Sequence, residues 1–417
     1  MSISRRDLLA LGCRSALGLG LTAWFADDLV AGDAEPSPVA TTTNLIYLHM
    51  AGGMSHLDTL DPKPGQDVMG GVQALASKVD GVQLSALLPE LAARLDRCAL
   101  IRSMTSTQGA HEQGDYFMRT GYQMRGTIRH PTLGAWISRL VATTPGNLPA
   151  YVVIGGGAHP GSGFMGQAQA PLPVDDPTAG LQYASRNKNV DAARAGHRID
   201  LLTALESVGA PAATAAAAMA TARSDALKLM DSKDLLAFDL KLEKAATRER
   251  YGEDRFAQGC LMARRLVEHG VRAVDVTLGG WDTHDDHLDR VTDRCAILDR
   301  ALPALLDDLR ERGMDKTTLV VLGSEFGRTP VFNVRQGRDH FPKVFSVVMS
   351  GAGVPGGVVV GASDERAMTV AARQVTIPDL HATIAARLGL PRTIPVHSPE
   401  GRPFVVGDKG VAVSELV

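Results

Sequence analysis

The sequence of 417 residues predicts an α/β fold, a central, mostly parallel sheet flanked by helices, and three observations carry this. Short apolar runs bounded by glycine alternate with amphipathic stretches of helical period from residue 44 almost to the C-terminus. The composition, 45% hydrophobic, 21% charged and 5% aromatic, is that of a folded chain able to bury most of its surface. The length has room for one large α/β domain with insertions or a few domains of roughly 150 residues each. Lys and Arg number 43 against 46 Asp and Glu, a net charge of −3, so the chain lacks the basic excess of a nucleic-acid binder and no nucleic-acid partner is expected.

Residues 1–34 are expected to stand outside the fold. Arg5 and Arg6 precede a weakly apolar run, 8–26, interrupted by Gly12, Arg14, Gly18 and Gly20. Such a pair of arginines resembles a twin-arginine export signal, whereas a membrane anchor needs about 18 clean apolar residues. The expected location is the periplasm or outside the cell, with the export machinery as a partner and residues 35–43 as a linker. Cys13 follows too short an apolar stretch for a lipid anchor. Cys98, Cys260 and Cys295 lack C-x-x-C spacing, and the last two lie in helix-like stretches where they are expected to pack as small apolar residues.

Residues 44–50 read as a buried strand running into Gly52-Gly53. Further strands are expected at 99–104, 151–154, 271–278, 318–322 and 344–349. Helices are expected at 87–97, 254–269, 288–312 and 378–388, the last with Pro378 in its first turn and Gly389 at its end. His111 and Glu112 open another short helix. Residues 200–250, rich in Ala, Lys, Glu and Leu, read as a helical insertion whose charges form solvated faces, such as Glu243 with Arg250.

Chemistry-bearing residues gather where strands end, which is where an α/β sheet places its ligands. After the first strand, Ser55, His56 and Asp58 bring a hydroxyl, an imidazole and a carboxylate to one loop, while Asp61-Pro62-Lys63 reads as a capped turn. After the strand ending at 278 come Asp282, His284, Asp285, Asp286 and His287. Helix N-caps account for one or two of these, and carboxylate oxygen combined with neutral imidazole nitrogen suits zinc, manganese or iron. Glu325 can ligate a metal or act as a base, Arg328 can grip an oxyanion with two N–H groups, and His340 can be a ligand or proton donor. The alternatives are a local Glu325–Arg328 pair and a packed His340. His111 and Glu112 sit at a helix N-terminus, where the dipole favours anions. His159 and His381 read as structural.

In order, the twin arginines, G-G-M-S-H-L-D-T-L-D-P-K-P, T-G-Y, H-P-T-L-G-A-W, G-G-W-D-T-H, S-E-F-G-R-T-P, G-R-D-H and I-P-D-L-H-A-T resemble a large bacterial family of exported proteins of unknown function, grouped with sulfatases and alkaline phosphatases. The resemblance implies a divalent metal (zinc, manganese, calcium or magnesium) at the strand ends and hydrolysis of a sulfate or phosphate ester of a small molecule or glycan. It implies that Asp282 with His284 or His287 replaces an aspartate and histidine after a late strand. Glu325 would stand in an S-D-H-G-like turn, and His340 would be the last metal-binding histidine. Metal ligands are therefore expected among His56, Asp58, Asp282, His284, His287, Glu325 and His340, converging on one edge of the sheet, with catalytic roles for His111, Ser55 and Arg328.

The first strand of these enzymes ends in a metal-binding aspartate followed by glycine, a place that His49 or Asp58 would have to fill. Aligning their T-G on Thr120-Gly121 puts His111 where sulfatases carry their modified cysteine, and the chain has no C-x-P-x-R segment, which excludes a formylglycine sulfatase. The expected function is an exported metal-dependent hydrolase of a sulfate, phosphate or related ester, with Arg328 stabilising the developing oxyanion. The alternative is a catalytically degenerate relative that binds a glycan or a partner protein.

Overall fold

The computed structural model describes residues 43–141, 146–182, 184–185, 189–209 and 214–417. The expected export signal, Arg5, Arg6 and Cys13 lie outside these residues. Residues 393–405 form a unit of their own, a short antiparallel hairpin pairing Val396–His397 with Pro403–Phe404. The features below belong to the other unit.

Nine strands make one sheet: β1 (Asn44–Met50), β2 (Cys98–Thr105), β3 (Tyr151–Ile154), β4 (Leu172–Val174), β5 (Ala273–Leu278), β6 (Thr318–Gly323), β7 (Phe345–Ser350), β8 (Val359–Val360) and β9 (Val375–Thr376). Their order is β8-β2-β7-β6-β1-β5-β3-β4, with β9 also paired to β2. All pairings are parallel except those of β7, which runs antiparallel to both β2 and β6. β1 and β6 are buried along their whole length, and as expected of strands covered on both faces their sequences are mainly apolar rather than alternating.

The principal helices are α1 (His111–Thr120), α2 (Leu133–Leu140), α3 (Ala192–Gly209), α4 (Thr214–Met230), α5 (Ala245–Tyr251), α6 (Arg255–Glu268), α7 (His287–Glu311) and α8 (Ile377–Arg387). α6 lies on β5 and β1 and packs against α7, and their leucines, with Val274, Val276, Ile46 and Leu48, form the main core. Cys98, Cys260 and Cys295 are free and buried, and burial pushes the thiols of all three up.

The helix expected over 87–97 is instead one turn, Pro89–Ala92, and a 3-10 turn, Leu95–Arg97. Its N-terminus is capped from α7, where Asp299 accepts from the amides of Glu90 (2.9 Å) and Leu91 (2.8 Å), and the chain then breaks off to enter β2. Local spacing could not anticipate a cap from 200 residues away. Helix α2 and the strands β4, β8 and β9 were not expected. Glu243 and Arg250 do not pair with each other. Glu243 precedes α5 and meets Arg264 and Arg265, while Arg250 meets Asp308 and Glu311, so both charges tie the helical segment to α6 and α7.

Candidate metal centre

The register of the three central strands fixes where the site forms. Met50 lies beside Leu278 and His49 beside Gly323, so the loops after β1, β5 and β6 leave the same sheet edge side by side. Gly52 makes this contact possible: it has φ +116°, and a Cβ there would sit 2.5 Å from the amide nitrogen of Asp282. Its own N–H donates to Glu325 Oε1 at 2.9 Å. Arg328, fully buried, stitches the loops from beneath. It donates to the carbonyls of Gly52, Gly53 (3.0 Å) and Arg338 (2.9 Å) and to Asp282 Oδ1 (2.5 Å).

Three imidazoles then converge on the same carboxylate oxygen. Asp282 Oδ1 lies 3.0 Å from Nε2 of His284, 3.4 Å from Nε2 of His111 and 3.4 Å from Nε2 of His340. His111 comes from the first turn of α1, and His340 from a two-residue strand pairing with Gly327–Arg328. Each ring has its other nitrogen against an acceptor that cannot donate: His111 Nδ1 on Glu325 Oε1 (2.8 Å), His284 Nδ1 on Asp339 Oδ1 (2.7 Å) and His340 Nδ1 on the Gly109 carbonyl (2.8 Å). In the neutral form of each ring Nδ1 would therefore be the donor, and the Nε2 lone pair would face Asp282.

That arrangement is unbalanced without a positive charge at its centre. His111 Nε2 is buried with no hydrogen-bond partner, and the Nε2 atoms of His284 and His340 stand 3.0 Å apart, where two lone pairs repel. His111, Asp282 and His340 have the spacing of a metal-binding group. Two imidazoles and a carboxylate, each imidazole backed by an acceptor, fit a divalent transition metal, and His284 stands beside them against Asp282. Burial works against ionisation of Asp282, but the hydrogen bond and charge of Arg328, with His111 and His284, hold its pKa down to about 2. Glu325 is likewise lowered, its burial outweighed by His111 and His49, and the Glu325 hydrogen bond raises His111. Phe326, fully buried, packs its ring against both His111 and His340.

A cavity of about 600 Å³ opens beside this cluster, with Asp282, Glu325 and His111 at one end and Asp115, Arg119, Arg129, His159 and Thr277 along its walls. Behind the wall runs a chain of paired charges. His49, at the end of β1, meets Asp115 at 2.8 Å; Arg119 bonds Asp115 (2.7 Å) and approaches Asp275 (3.5 Å); Asp275 accepts from Tyr151 (2.8 Å) and lies 3.1 Å from His159 Nε2. His159, read from the sequence as structural, thus forms part of the cavity wall. His381 is buried and bonded to the Met118 carbonyl beneath α1.

The structure brings together His111, Asp282, His284, Glu325 and His340, with Arg328 below them. It places Ser55, Asp58 and His287 in a second, buried cluster. There Asp58 accepts from Ser55 Oγ (2.5 Å), His287 Nε2 (2.8 Å) and Arg338 Nη2 (3.1 Å), while His287 Nδ1 faces Thr283 Oγ1 (2.6 Å). Both nitrogens of His287 are occupied, which leaves no lone pair for a ligand. His56 is buried apart, bonded through Nε2 to the Ala367 carbonyl (3.0 Å) and stacked on Phe341. Arg328 is fully buried, does not line the cavity, and gives four hydrogen bonds to the loops and to Asp282. The expectation that it faces an oxyanion gives way to a role under Asp282.

Fold and site together define an α/β protein with a candidate metal centre at its strand ends. The chain belongs to the family described as "Protein of unknown function (DUF1501)", which it matches over residues 42–417. No curated protein matches the sequence. Among solved structures, the chain is similar to the lipoteichoic acid synthase LtaP from Listeria monocytogenes, at 8% identity and TM-score 0.41 over 85% of this chain and 74% of that one. It is similar to the PsFucS1 sulfatase from Pseudoalteromonas sp., at 11% identity and TM-score 0.41 over 89% and 73% of the two chains. A further similar structure is the phosphonate monoester hydrolase SpPMH from Silicibacter pomeroyi, at 10% identity and TM-score 0.35 over 91% and 76%.

Proposed function

We propose that this chain is an exported, metal-dependent hydrolase of a sulfate, phosphate or related ester. The observation that carries the reading is the convergence of three Nε2 atoms on Asp282 Oδ1, each ring's Nδ1 held by an acceptor. His111, His284, His340 and Asp282 would hold the ion. This nitrogen-rich set favours zinc or manganese over calcium or magnesium, which prefer oxygen ligands. A divalent ion bound there supplies Lewis acidity and lowers the pKa of a coordinated water.

The chain's own residues do the rest. Glu325, Asp339 and the Gly109 carbonyl keep each imidazole in the tautomer that presents Nε2, and Arg328 keeps Asp282 ionised and in place. The adjoining cavity has the size of a small-ligand site, and the exposed Arg129 on its wall offers positive charge to an anionic ester group. Small-molecule and glycan esters are the substrates this reading expects.

The test measures zinc and manganese binding together with turnover of a panel of aryl phosphates and aryl sulfates. Asp282→Ala should lose metal and turnover together. Turnover that persists in the chelated protein or in this variant refutes the reading. Export is part of the proposal and rests on Arg5 and Arg6. Changing both to lysine should retain the protein in the cytoplasm, and unchanged export would contradict it.

A further inference from the structure

We infer that Asp339 and Asn333 are positioning residues for the metal centre: Asp339 fixes the ring of His284, and Asn333 fixes Asp339. This rests on the metal reading above. His284 Nδ1 lies 2.7 Å from Asp339 Oδ1, and the same oxygen accepts from Asn333 Nδ2 at 3.0 Å. Asn333 Nδ2 also donates to the backbone carbonyl of His284 at 3.0 Å, so one amide group holds both the carboxylate and the main chain of the residue it orients.

Asn333 is itself held at every polar atom. Its Oδ1 accepts from the amides of Arg335 (2.9 Å) and Gly337 (3.0 Å), and its own amide donates to the Gly337 carbonyl (2.8 Å). The loop is moulded to His284 at Gly337, where a Cβ would lie 1.9 Å from the carbonyl carbon of His284. Two residues with side chains adopt left-handed backbone where the segments meet, Asp286 (φ 45°) and Gln336 (φ 57°), and a β-bridge joins Asp285 to Gln336. Residues in this region of φ/ψ are strained and persist only where their surroundings hold them.

The need for a clamp follows from exposure. Glu325, the corresponding carboxylate behind His111, is 2% exposed and immobilised by packing, whereas the Asp339 side chain is 53% exposed. A carboxylate open to water keeps its rotamer freedom unless something fixes it. Asn333 supplies that constraint, so that His284 offers Nε2 in one orientation.

The test measures zinc affinity of the full chain by competition with a chromophoric chelator, alongside melting temperature. Asp339→Ala should weaken zinc binding roughly 10- to 100-fold, as losses behind a ligating histidine do. Asp339→Asn, which keeps an acceptor oxygen, should recover part of that loss. Asn333→Ala should weaken binding about 3- to 10-fold, the worth of one hydrogen bond. Asn333→Asp keeps the loop's Oδ1 acceptor but faces Asp339 with a second carboxylate, and should cost at least as much as alanine.

The double variant Asn333→Ala/Asp339→Ala should lose less zinc affinity than the two single losses multiplied together, because part of what Asn333 does passes through Asp339. Additive losses would overturn the inference, as would a wild-type affinity in Asp339→Ala. If the wild-type chain itself binds no zinc, the metal reading fails and this inference fails with it. If it binds and the variants are unaffected, only the inference falls.

Discussion

Replacing Asp58 with asparagine should cost stability and leave the metal centre intact. Asp58 is fully buried and its carboxylate takes hydrogen bonds from Ser55, His287 and Arg338, the last also fully buried. Neutralising it leaves the Arg338 guanidinium without its counter-charge, and breaking a buried pair costs about 3–5 kcal/mol. Asparagine keeps the shape and one acceptor oxygen, which puts the expected loss near 3 kcal/mol, and at about 2 °C per kcal/mol for a chain of this length the melting temperature should fall by roughly 6 °C. The deficit should depend on pH with a definite sign. Burial pushes the Asp58 pKa up, but the His287 hydrogen bond and the Arg338 charge prevail and hold it below its ordinary value. Asp58 therefore stabilises the fold above its unfolded pKa of about 3.9, and that contribution is lost as pH falls through the lower folded value. The gap between wild type and Asp58→Asn should be full at neutral pH and close below about pH 4. The assay is thermal melting across pH beside zinc affinity at neutral pH. An unchanged melting temperature with much weaker zinc binding would refute the reasoning and return Asp58 to the ligand set.

Gly52→Ala should destabilise the fold by more than about 1 kcal/mol through backbone strain and lower zinc affinity as well, because the new Cβ pushes on the amide of Asp282. Denaturant unfolding and metal titration check this, and a variant normal in both would show that the loops do not need the close approach. Arg328→Lys should weaken zinc binding and lower the melting temperature, since an ammonium cannot span three carbonyls and Asp282 Oδ1 as the guanidinium does. If Arg328 faced an oxyanion instead, this variant would lose turnover with metal affinity and stability unchanged.

Much of the sheet was legible because its central strands are mainly apolar runs leading into glycine, a pattern that local sequence dictates by itself. The placement of Asp282, His284 and Glu325 was legible for the same reason, since each lies a few residues beyond such a run. Which way each imidazole turns was not. His284 and His287 are three residues apart in one acidic segment, yet the left-handed turn at Asp286 and the start of α7 send His287 inward to Asp58 while His284 stays at the site. Asp339 stood in plain view beside His340, but nothing local says that its oxygen reaches a histidine 55 residues earlier. Asp275 is hidden in a buried strand, where spacing gives no sign of Tyr151, His159 and Arg119 around it. Helical spacing does not carry across the break before α5, so Glu243 and Arg250 find their partners on α6 and α7 rather than in each other.

The most direct test of the central claim is the zinc stoichiometry of the purified full chain, measured by elemental analysis after dialysis against limiting zinc, for wild type, His111→Ala, Asp282→Ala and His340→Ala. One tightly held ion per wild-type chain, weakened or lost in each of the three variants, is the predicted result. A wild-type chain that retains no ion, or variants that retain it as well as wild type does, would contradict the metal centre.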